Sequence, residues 1–402
     1  MERARQLRRG RLSPAAVQSL YGTRMGMSAS RMDRVRQCHF GYFMQYGLRA
    51  KERRPAGFEA PEIGTFLHYL LENTAREVAG SGGWAAVKTP QLHAMVRKYI
   101  DLYIRDEIPG YEEKSARFRY LFGRLRTTAE DIVDRMAEEL AESDFKPVAF
   151  ELGFGGRDGA LPAITIQEGD ATLSVSGKVD RVDGWLHDGK LYLRVVDYKT
   201  GRKSFDLSDV RYGLGIQMLL YLFTLEKEGQ SCFGYPIVPA GVLYHPARDL
   251  ILKTERDITP EALRRAMDRE LRRDGMVLGD PEVLRAMEHS ALESPHYLPI
   301  KVKKDGSIAD GVASAEQLGK LGRYVDRLLH QIAREIGSGS IDADPVAHGP
   351  QDRACQHCDF AAACGFQEGR GGDRVRYIRS VDPGEFWKFV EEESREEGSP
   401  CR

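Results

Sequence analysis

Residues 177–201 read GKVDRVDGWLHDGKLYLRVVDYKTG and carry the strongest indication of the fold. Two stretches rich in Val, Leu and Tyr flank the turn at Asp188-Gly189, a pattern typical of a β-hairpin. Asp180 lies on the first predicted strand and Asp197 ends the second, so antiparallel pairing can place the two carboxylates side by side. Lys199 follows Asp197 by two residues, and the period of two in a strand points both side chains to one face.

Two neighbouring carboxylates beside a lysine suit a defined chemistry. Hard divalent cations such as Mg²⁺ prefer oxygen ligands of this kind. A lysine next to metal-bound carboxylates can orient water and stabilise charge on a phosphate under attack. Asp-x-Lys alone is frequent by chance, so this segment by itself also fits an ordinary hairpin with surface charges.

Two further elements favour a metal site. Gln217 and Tyr221 are spaced i and i+4 on the next predicted helix and lie on one face of it. His68 stands on an earlier predicted helix in the pattern Gly64-x-x-x-His68. A lone histidine on an apolar helix face is more often a core residue than a ligand, so only the combination favours a metal site.

The hydrophobic periodicity predicts helices around a small sheet, and hence an α/β fold. Segments with helical spacing are 28–47 behind an N-cap at Ser28, a helix from Ile63, an amphipathic insertion at 91–143, 207–228 and most of 259–337. Segments with a strand pattern are a predicted meander of Val148–Phe154, Ala163–Gln167, Ala171–Ser176, Gly177–Trp185 and Leu191–Tyr198, followed by Ala240–His245.

Composition and charge limit the classes of function. Of 402 residues, 42% are hydrophobic and 30% are charged, so the chain can bury a core. The formal net charge of −1 excludes a uniformly basic nucleic-acid coat. Residues 1–54 hold 13 Lys and Arg against 3 Asp and Glu, which indicates either a polyanion partner or a solvated arm. We interpret 1–26 as a basic arm or linker remnant and 371–402 as an acidic tail.

Cysteine usage and hydropathy indicate a reducing compartment. Six cysteines are too few for a disulfide scaffold. The longest apolar stretch, Met218–Leu225, is far too short to span a bilayer, and residues 1–21 lack the apolar region of a secretory signal. We expect a soluble, cytoplasmic protein with no membrane partner, in which clustered cysteines indicate metal or redox chemistry.

Cysteines near the C-terminus form a C-x₂-C-x₅-C cluster. The three residues are Cys355, Cys358 and Cys364. Candidates for a fourth ligand are Cys38, Cys232 and Cys401, or His39 and His357 in a zinc site. Zinc stays open, although structural zinc sites usually show two ligand pairs. Four thiolates with one distant partner suit an iron–sulfur cluster better.

In their order along the chain, these motifs resemble the RecB-type nucleases of the PD-(D/E)xK superfamily. The matching residues are Gly64-x-x-x-His68, Gly177-x-x-Asp180-Arg181-x-Asp183, Asp197-Tyr198-Lys199-Thr200-Gly201 and Gln217-x-x-x-Tyr221. By this resemblance the ligands of a catalytic Mg²⁺ or Mn²⁺ are His68, Asp180, Asp197 and the carbonyl of Tyr198. Lys199 is then the catalytic lysine, while Gln217 and Tyr221 support the site and contact the DNA backbone. Glu151 is either an added acidic partner or a surface residue, and Val179 replaces the proline of the superfamily's name.

Residues 28–43 resemble the start of the AddB-type nuclease domain within this group. The resemblance implies that a [4Fe–4S] cluster joins the N- and C-terminal parts of the domain. Its ligands would be Cys38, Cys355, Cys358 and Cys364. The implied fold is a restriction-endonuclease-like core, a small mixed sheet flanked by helices, with large helical insertions. The domain would cover 27–370, with the insertion at 91–143, the catalytic core at 148–245 and the cysteine clasp at 355–364.

The same resemblance implies a Mg²⁺-dependent DNA exonuclease that trims the 5′-ended strand at double-strand breaks. Its substrate would be single-stranded DNA or broken duplex ends, beside a helicase partner of the AddA type. The motif G-x-x-x-x-G-K-[ST] does not occur, so this chain carries no ATP motor of its own. Arg31, Arg34 and Arg36 are expected to pair with backbone phosphates. The alternatives are a CRISPR-associated RecB-type nuclease, a non-catalytic DNA-end-binding module and a zinc-stabilised scaffold.

Overall fold

The structure is a computed structural model that describes residues 9–51, 60–156, 159–201, 204–248, 252 and 257–395. Its helices are α1 (Pro14–Tyr21), α2 (Ala29–Gln37), α3 (His39–Tyr42), α4 (Ala60–Gly80), α5 (Thr89–Glu107), α6 (Ala116–Ala141), α7 (Leu207–Arg211), α8 (Gln217–Phe233), α9 (Pro260–Leu271), α10 (Pro281–Met287), α11 (Ala315–Gly337), α12 (Ala361–Cys364) and α13 (Pro383–Arg395). A π-helical turn at Phe43–Gly47 and a 3₁₀ turn at Tyr111–Glu113 supplement them.

The strands belong to four sheets. They are β1 (Arg24–Met27), β2 (Lys146–Phe154), β3 (Ile164–Glu168), β4 (Ala171–Val175), β5 (Gly177–His187), β6 (Lys190–Lys199), β7 (Ile237–Pro246), β8 (Asp274–Leu278), β9 (Lys301–Val302), β10 (Ile308–Ala309), β11 (Val312–Ala313), β12 (Val346–Gly349), β13 (Asp352–Arg353) and β14 (Arg376–Tyr377). The predicted α/β class is confirmed. Among the described helices, none combines the length and the apolar character needed to cross a membrane.

The principal sheet has six strands in the order β11-β8-β7-β6-β5-β2 and is mixed. Strands β5 and β6 form the predicted hairpin, in which Arg181 pairs with Val196. Strands β6 and β7 run parallel, with Lys199 beside Pro246. Because parallel neighbours end at the same edge, the carboxyl ends of β6 and β7 present their last residues together.

Helix α8 covers one face of this sheet. It packs on β6 and β7 on one side and on α11 on the other. All residues of Met218–Leu225 are buried. The stretch is apolar on every side because the helix is enclosed between the sheet and a second helix.

Helices α4, α5 and α6 form a second layer with a core of their own. The predicted insertion at 91–143 corresponds to α5 and α6. Phe66, Leu67 and Leu71 are fully buried there, together with Tyr198 of β6 and Ala247 after β7. The three helices therefore pack against the carboxyl ends of the two parallel strands.

The pairing of the strands differs from the predicted meander. Strands β3 and β4 leave the principal sheet and form a three-stranded sheet in the order β1-β4-β3, with Met25 beside Leu173. Strand β8 lies inside the region 259–337 that the pattern predicts to be mainly helical. Both differences arise because periodicity describes one segment at a time, whereas pairing depends on a distant partner.

The described parts of the two terminal segments are folded, whereas the sequence was interpreted as an arm at 1–26 and a tail at 371–402. Residues 9–26 include α1 and much of β1, and the side chains of Val17 and Met25 are buried. Residues 371–395 include β14 and α13, whose Phe386 and Val390 are fully buried. These apolar residues pack against the domain and hold both segments in place. Residues 1–8 and 396–402 lie outside the described residues.

Candidate active site

One histidine and two carboxylates from three elements meet beside the principal sheet. The Nδ1 atom of His68 on α4 lies 3.4 Å from Oδ1 of Asp180 on β5 and 3.5 Å from Oε1 of Glu151 on β2. One ligand atom from each of the three lies within 4.8 Å of the other two. The three side chains are partly buried. His68 and Glu151 line a cavity of about 450 Å³, together with Gly64 and Lys178.

The charges of this cluster balance one another. Burial lowers the pKa of His68, but contacts with Asp180 and Glu151 outweigh burial and raise it to about 10. Burial raises the pKa of Glu151, yet His68 and Lys178, whose Nζ lies 2.7 Å from Oε2 of Glu151, lower it overall. One imidazole nitrogen and two carboxylate oxygens form a donor set that fits a divalent cation, which would take the place of the imidazole proton.

Glu151 has a strained backbone. Its φ is 49°, in the left-handed region that non-glycine residues rarely adopt. Residues are held in this region at a cost of about 1–3 kcal/mol, and they cluster at functional sites. The register of β2 and β5, in which Phe150 pairs with Arg181 and Leu152 with Val179, brings Glu151 opposite Asp180. The sequence leaves open whether Glu151 is a ligand or a surface residue. The one feature that points to a ligand is its position as a lone acidic residue within an apolar strand.

Asp197 and Lys199 lie on the next strand. Extending the pairing of Arg181 with Val196 by one residue brings Asp197 opposite Asp180. Asp197 is 3% exposed, and its Oδ2 lies 2.5 Å from Nζ of Lys199. The backbone N–H of Tyr198 donates to Oδ2 of Asp180 at 2.9 Å. Asp180 therefore faces His68 with one oxygen and is held by the lysine-bearing strand through the other.

Gln217 and Tyr221 lie at the start of α8, where the sequence predicted one shared face. Gln217 Nε2 donates to the hydroxyl of Tyr221 at 3.0 Å. The Tyr221 ring packs against Gly177, where an added Cβ would lie 2.8 Å from that ring and 2.7 Å from Phe154. Burial raises the pKa of Tyr221, and the charge of Asp180 adds to this effect. Since Tyr221 is only 5% exposed, its placement favours support of β5.

A network of buried titratable groups lies behind the cluster. Its members are Glu139 of α6, Arg181 and Asp183 of β5, Arg194 of β6, His245 of β7 and Arg273 before β8. Arg181 Nε and Arg194 Nε each lie 2.9 Å from a carboxylate oxygen of Asp183. Glu139 accepts from Arg194 at 3.3 Å and from Arg273 Nε at 3.1 Å. Arg181 Nη1 also donates to the hydroxyl of Tyr198 at 3.2 Å, which ties the network to the strand that holds Asp180.

The protonation states of this network follow from burial and charge. Burial raises the pKa of Glu139, but Arg273, Arg181 and Arg194 lower it well below its ordinary value. Burial, followed by the charge of Arg273, lowers the pKa of His245 well below its ordinary value, so His245 is neutral. Buried charges are costly unless they are paired, so Glu139 is needed to balance the arginines. In the sequence, the one feature that could have indicated this network is the presence of charged residues such as Arg181 and Arg194 within apolar strands.

The four cysteines that the resemblance groups together do come together. Cys38, Cys355, Cys358 and Cys364 line a cavity of about 220 Å³, and each is a free, partly buried thiol. Burial, and then the charges of the other three sulfurs, raise the pKa of Cys355 to about 11. Cys232 is exposed on α8, and Cys401 lies outside the described residues.

The spacing of the sulfurs bears on the group that they can hold. A tetrahedral zinc with Zn–S bonds of about 2.3 Å places its sulfurs about 3.8 Å apart. Within the described ranges, the His68 cluster is the one group of three His, Cys, Asp or Glu residues whose ligand atoms all lie within 4.8 Å of one another. No three of the described cysteine sulfurs are therefore that close together. His39, a candidate fourth zinc ligand, has Nδ1 at 2.8 Å from Asp344 and Nε2 at 3.6 Å from Glu335. Carboxylates thus contact both ring nitrogens of His39, and the four thiols are the donor set at this place.

The three arginines predicted to bind phosphate do not share one surface. Arg36 is 8% exposed, and it donates to the carbonyl of Tyr212 and pairs with Glu335. Arg34 points into the clasp, with Nη2 at 3.5 Å from Sγ of Cys358. Arg31 is exposed and donates to the carbonyl of Gly26. Arg36 is therefore buried within the domain, and Arg34 is partly buried beside the cysteines.

Comparison with known proteins agrees with this geometry. The family model of the PD-(D/E)XK nuclease superfamily matches residues 26–365. Three similar proteins are each named as a subunit of an ATP-dependent helicase/deoxyribonuclease. They come from Caldanaerobacter subterraneus subsp. tengcongensis (33% identical over 396 residues, 97% of this chain and 34% of the relative), Acetivibrio thermocellus (32% over 389, 96% and 34%) and Desulforudis audaxviator (33% over 387, 95% and 33%).

The chain spans about one third of the length of these relatives. The family match extends from before Cys38 to beyond Cys364 and includes the His68 cluster and Lys199. The resemblance drawn from the motifs is thereby confirmed, and the chain belongs to the PD-(D/E)XK nuclease superfamily.

Proposed function

We propose that this chain is a metal-dependent DNA nuclease domain that hydrolyses phosphodiester bonds beside His68, Glu151 and Asp180. The observation that carries the proposal is the convergence of these three ligand groups within 4.8 Å. Asp197 and Lys199 follow on the adjacent strand, in the order typical of the superfamily. The ligand groups and the lysine are all present and lie on α4 and on neighbouring strands, which favours an enzyme over a decayed DNA-end-binding module.

His68, Glu151 and Asp180 would hold the ion, Mg²⁺ or Mn²⁺, with Asp197 and the carbonyl of Tyr198 as the further ligands implied by the resemblance. When bound, the ion polarises the scissile phosphate and lowers the pKa of the attacking water. Asp180 is oriented for ligation by the backbone N–H of Tyr198. Glu151 is kept ionised by Lys178 and His68, so it offers a charged oxygen.

Lys199 supplies a fixed positive charge at the edge of the sheet. Its contact with the buried carboxylate of Asp197 limits the positions that the ammonium group can take. An ammonium held in this way stabilises the charge that develops on the phosphate and orients the water. Gln217 and Tyr221 brace β5 from the side of α8.

Cys38 and the three cysteines of the clasp would hold a [4Fe–4S] cluster with a structural role. Cys38 precedes α3, and the other three lie in residues 355–364, so the cluster would join the two ends of the domain. Arg34 donates toward Cys358, and Arg9 donates to the carbonyl of Cys364 at 2.8 Å. These cations suit a cluster whose thiolates carry negative charge.

The relatives' name, which describes a subunit of an ATP-dependent helicase/deoxyribonuclease, suggests the wider setting. We infer that the domain trims the 5′-ended strand exonucleolytically at broken DNA ends, beside a helicase partner of the AddA type. A CRISPR-associated nuclease of the RecB type is the second candidate from the motifs, but no geometric feature of the described residues favours it.

The test is cleavage of end-labelled single- and double-stranded DNA with and without Mg²⁺. The intact chain is compared with Lys199→Ala and with a control, Lys227→Ala. Lys227 lies on α8 and forms an exposed ion pair with Asp326 of α11, at 2.6 Å. We expect Lys199→Ala to bind DNA without cutting it, and Lys227→Ala to cut like the intact chain. Equal cutting by Lys199→Ala and the intact chain would show that the assigned site is wrong. Binding without cutting by all three would support the end-binding module.

A further inference from the structure

A groove adjoins the candidate active site at the carboxyl ends of β6 and β7. It has a volume of about 270 Å³ and lies between α4, α6 and the residues that follow the two strands. Its apolar wall includes Leu67, Phe118 and Phe122, and its rim carries Arg124 and Arg248. It is thus an apolar slot edged by two guanidinium groups.

The groove adjoins a cavity that Lys199 lines. Arg248 lines both the groove and this second cavity, which has a volume of about 260 Å³. In open α/β sheets, ligands bind outside the carboxyl ends of the strands. Through Arg248, the slot thus lies beside the cavity in which a DNA strand would meet Lys199.

The start of α6 is strongly basic. Residues 116–126 read ARFRYLFGRLR, with four arginines and no acidic residue, in a chain whose net charge is −1. All four arginines are exposed. Arg119 and Arg126 have acidic neighbours at 3.7 and 3.9 Å, and exposed pairs of this kind contribute little. The segment complements a phosphate backbone.

An aromatic side chain lies within this basic surface. Tyr120 is 68% exposed and is the most exposed large hydrophobic residue among those described. Arg117, Tyr120 and Arg124 are spaced i, i+3 and i+7, so they share one face of α6. Leu121, 49% exposed, lines the groove beside them. An exposed ring between arginines, next to an apolar slot, matches the platforms on which bases of single strands stack.

We propose that α6 and this groove form a binding site for single-stranded DNA that leads the strand to Lys199. Tyr120 stacks on an unpaired base, the apolar slot accepts a second base, and the arginines of α6 contact phosphates. Duplex DNA keeps its base faces covered, so the site selects unpaired strand. The proposal rests on the proposed nuclease function for its purpose, but binding can be measured without cleavage.

The experiment measures the Kd of dye-labelled oligothymidylate of about 12 nucleotides by fluorescence anisotropy, with EDTA present to prevent cleavage. The variants are Tyr120→Ala and Tyr120→Phe. The control is Tyr235→Ala, an exposed tyrosine just before the amino end of β7, at the opposite end of the sheet. Since Tyr120 is exposed, its replacement should leave the fold intact, which thermal unfolding verifies.

We expect Tyr120→Ala to weaken single-strand binding by about five- to a hundredfold, the range measured when a stacking aromatic is removed. Tyr120→Phe and Tyr235→Ala should bind like the intact chain, and the Kd for a blunt duplex should change by less than about twofold. Unchanged single-strand binding by Tyr120→Ala overturns the proposal, and so does an equal loss for single strand and duplex. A marked fall in Tm without a change in Kd also overturns it, because the surface would then be covered by protein.

These outcomes are separable from those of the nuclease test. Lys199→Ala should keep the Kd of the intact chain while losing cleavage. If Lys199→Ala cuts normally and Tyr120→Ala binds poorly, the catalytic assignment fails and the strand-binding site stands. If Lys199→Ala is inactive and Tyr120→Ala binds normally, the catalytic assignment stands and the strand-binding site fails.

Discussion

Replacing Glu139 by Gln should strongly destabilise the domain. Glu139 is 2% exposed and accepts hydrogen bonds from Arg194 and Arg273. Gln keeps the shape but removes the charge. Asp183 then remains as the one carboxylate of the network, in contact with Arg181 and Arg194, while Arg273 loses its charged partner. Breaking a buried ion pair from one side costs about 3–5 kcal/mol. Because Gln retains an acceptor oxygen, we expect a loss near the lower end of that range, about 3 kcal/mol in the free energy of unfolding at pH 7.

The effect should depend on pH with a definite sign. The pKa of Glu139 in the folded chain lies below its unfolded value of about 4.5, because the arginines favour the charged form despite burial. The stabilisation is therefore fully present above pH 4.5 and is lost as the pH falls toward the folded pKa. Gln cannot titrate, so the gap in stability between the intact chain and Glu139→Gln should narrow below pH 4.5.

Urea unfolding at several pH values measures both quantities. The control is Glu138→Gln, which changes the neighbouring, exposed glutamate and should cost less than about 0.5 kcal/mol. A loss for Glu139→Gln no larger than for Glu138→Gln would refute the reasoning. A gap that widens as the pH falls would refute it as well, since it would require a raised pKa.

Three further changes test other parts of the structure. Glu151→Gln should weaken Mn²⁺ binding by about tenfold or more in calorimetric titration, because a charged ligand is lost. Cys364→Ser should lower the iron and labile sulfide of anaerobically purified protein, since one of four cluster ligands is lost. Gly177→Ala should lower the free energy of unfolding by about 1–3 kcal/mol in urea, because the new Cβ would meet the rings of Phe154 and Tyr221.

Each of these changes has a matched control. Glu168→Gln removes a glutamate that contacts His330 at 3.1 Å away from the site, and it should leave Mn²⁺ binding unchanged. Cys232→Ser alters an exposed cysteine outside the clasp and should keep the iron content. Gly123→Ala adds a Cβ in open space on α6 and should not destabilise. Zinc without labile sulfide in the intact protein would contradict the iron–sulfur cluster. For each pair, an equal effect in the variant and in its control would contradict the role assigned to the replaced residue.

The hairpin β5–β6 could be predicted because its signal is local. The predicted strands, Gly177–Trp185 and Leu191–Tyr198, differ from the observed ones by two residues or fewer at each end. The turn between them has φ of 48° at Asp188 and 70° at Gly189. Two-residue hairpin turns of type I′ have positive φ at both positions, which Asp-Gly adopts readily. Neighbouring residues thus contain enough information to place Asp180, Asp197 and the lysine.

The neighbours of these residues could not be predicted in the same way. Glu151 joins the cluster through the register of β2 and a strained backbone, and neither leaves a periodic signal. The pairing of β1 with β4 and the packing of residues 9–26 and 371–395 on the domain depend on contacts between distant segments. The same contacts turn Arg34 and Arg36 inward, although their charge alone suggests a surface.

The amino-acid order was enough to predict the type of chemistry, because ligand residues, lysine and cysteines occur at spacings that short elements bring to one side. Tertiary packing alone determined which charges are buried. Arg181, Asp183 and Arg194 stand within apolar strands, but the sequence does not show which group would balance their charges. Glu139, supplied by a helix about forty residues earlier, makes their burial favourable. Burial and pairing are properties of the assembled neighbours, so they appear only when α6 is packed against the sheet.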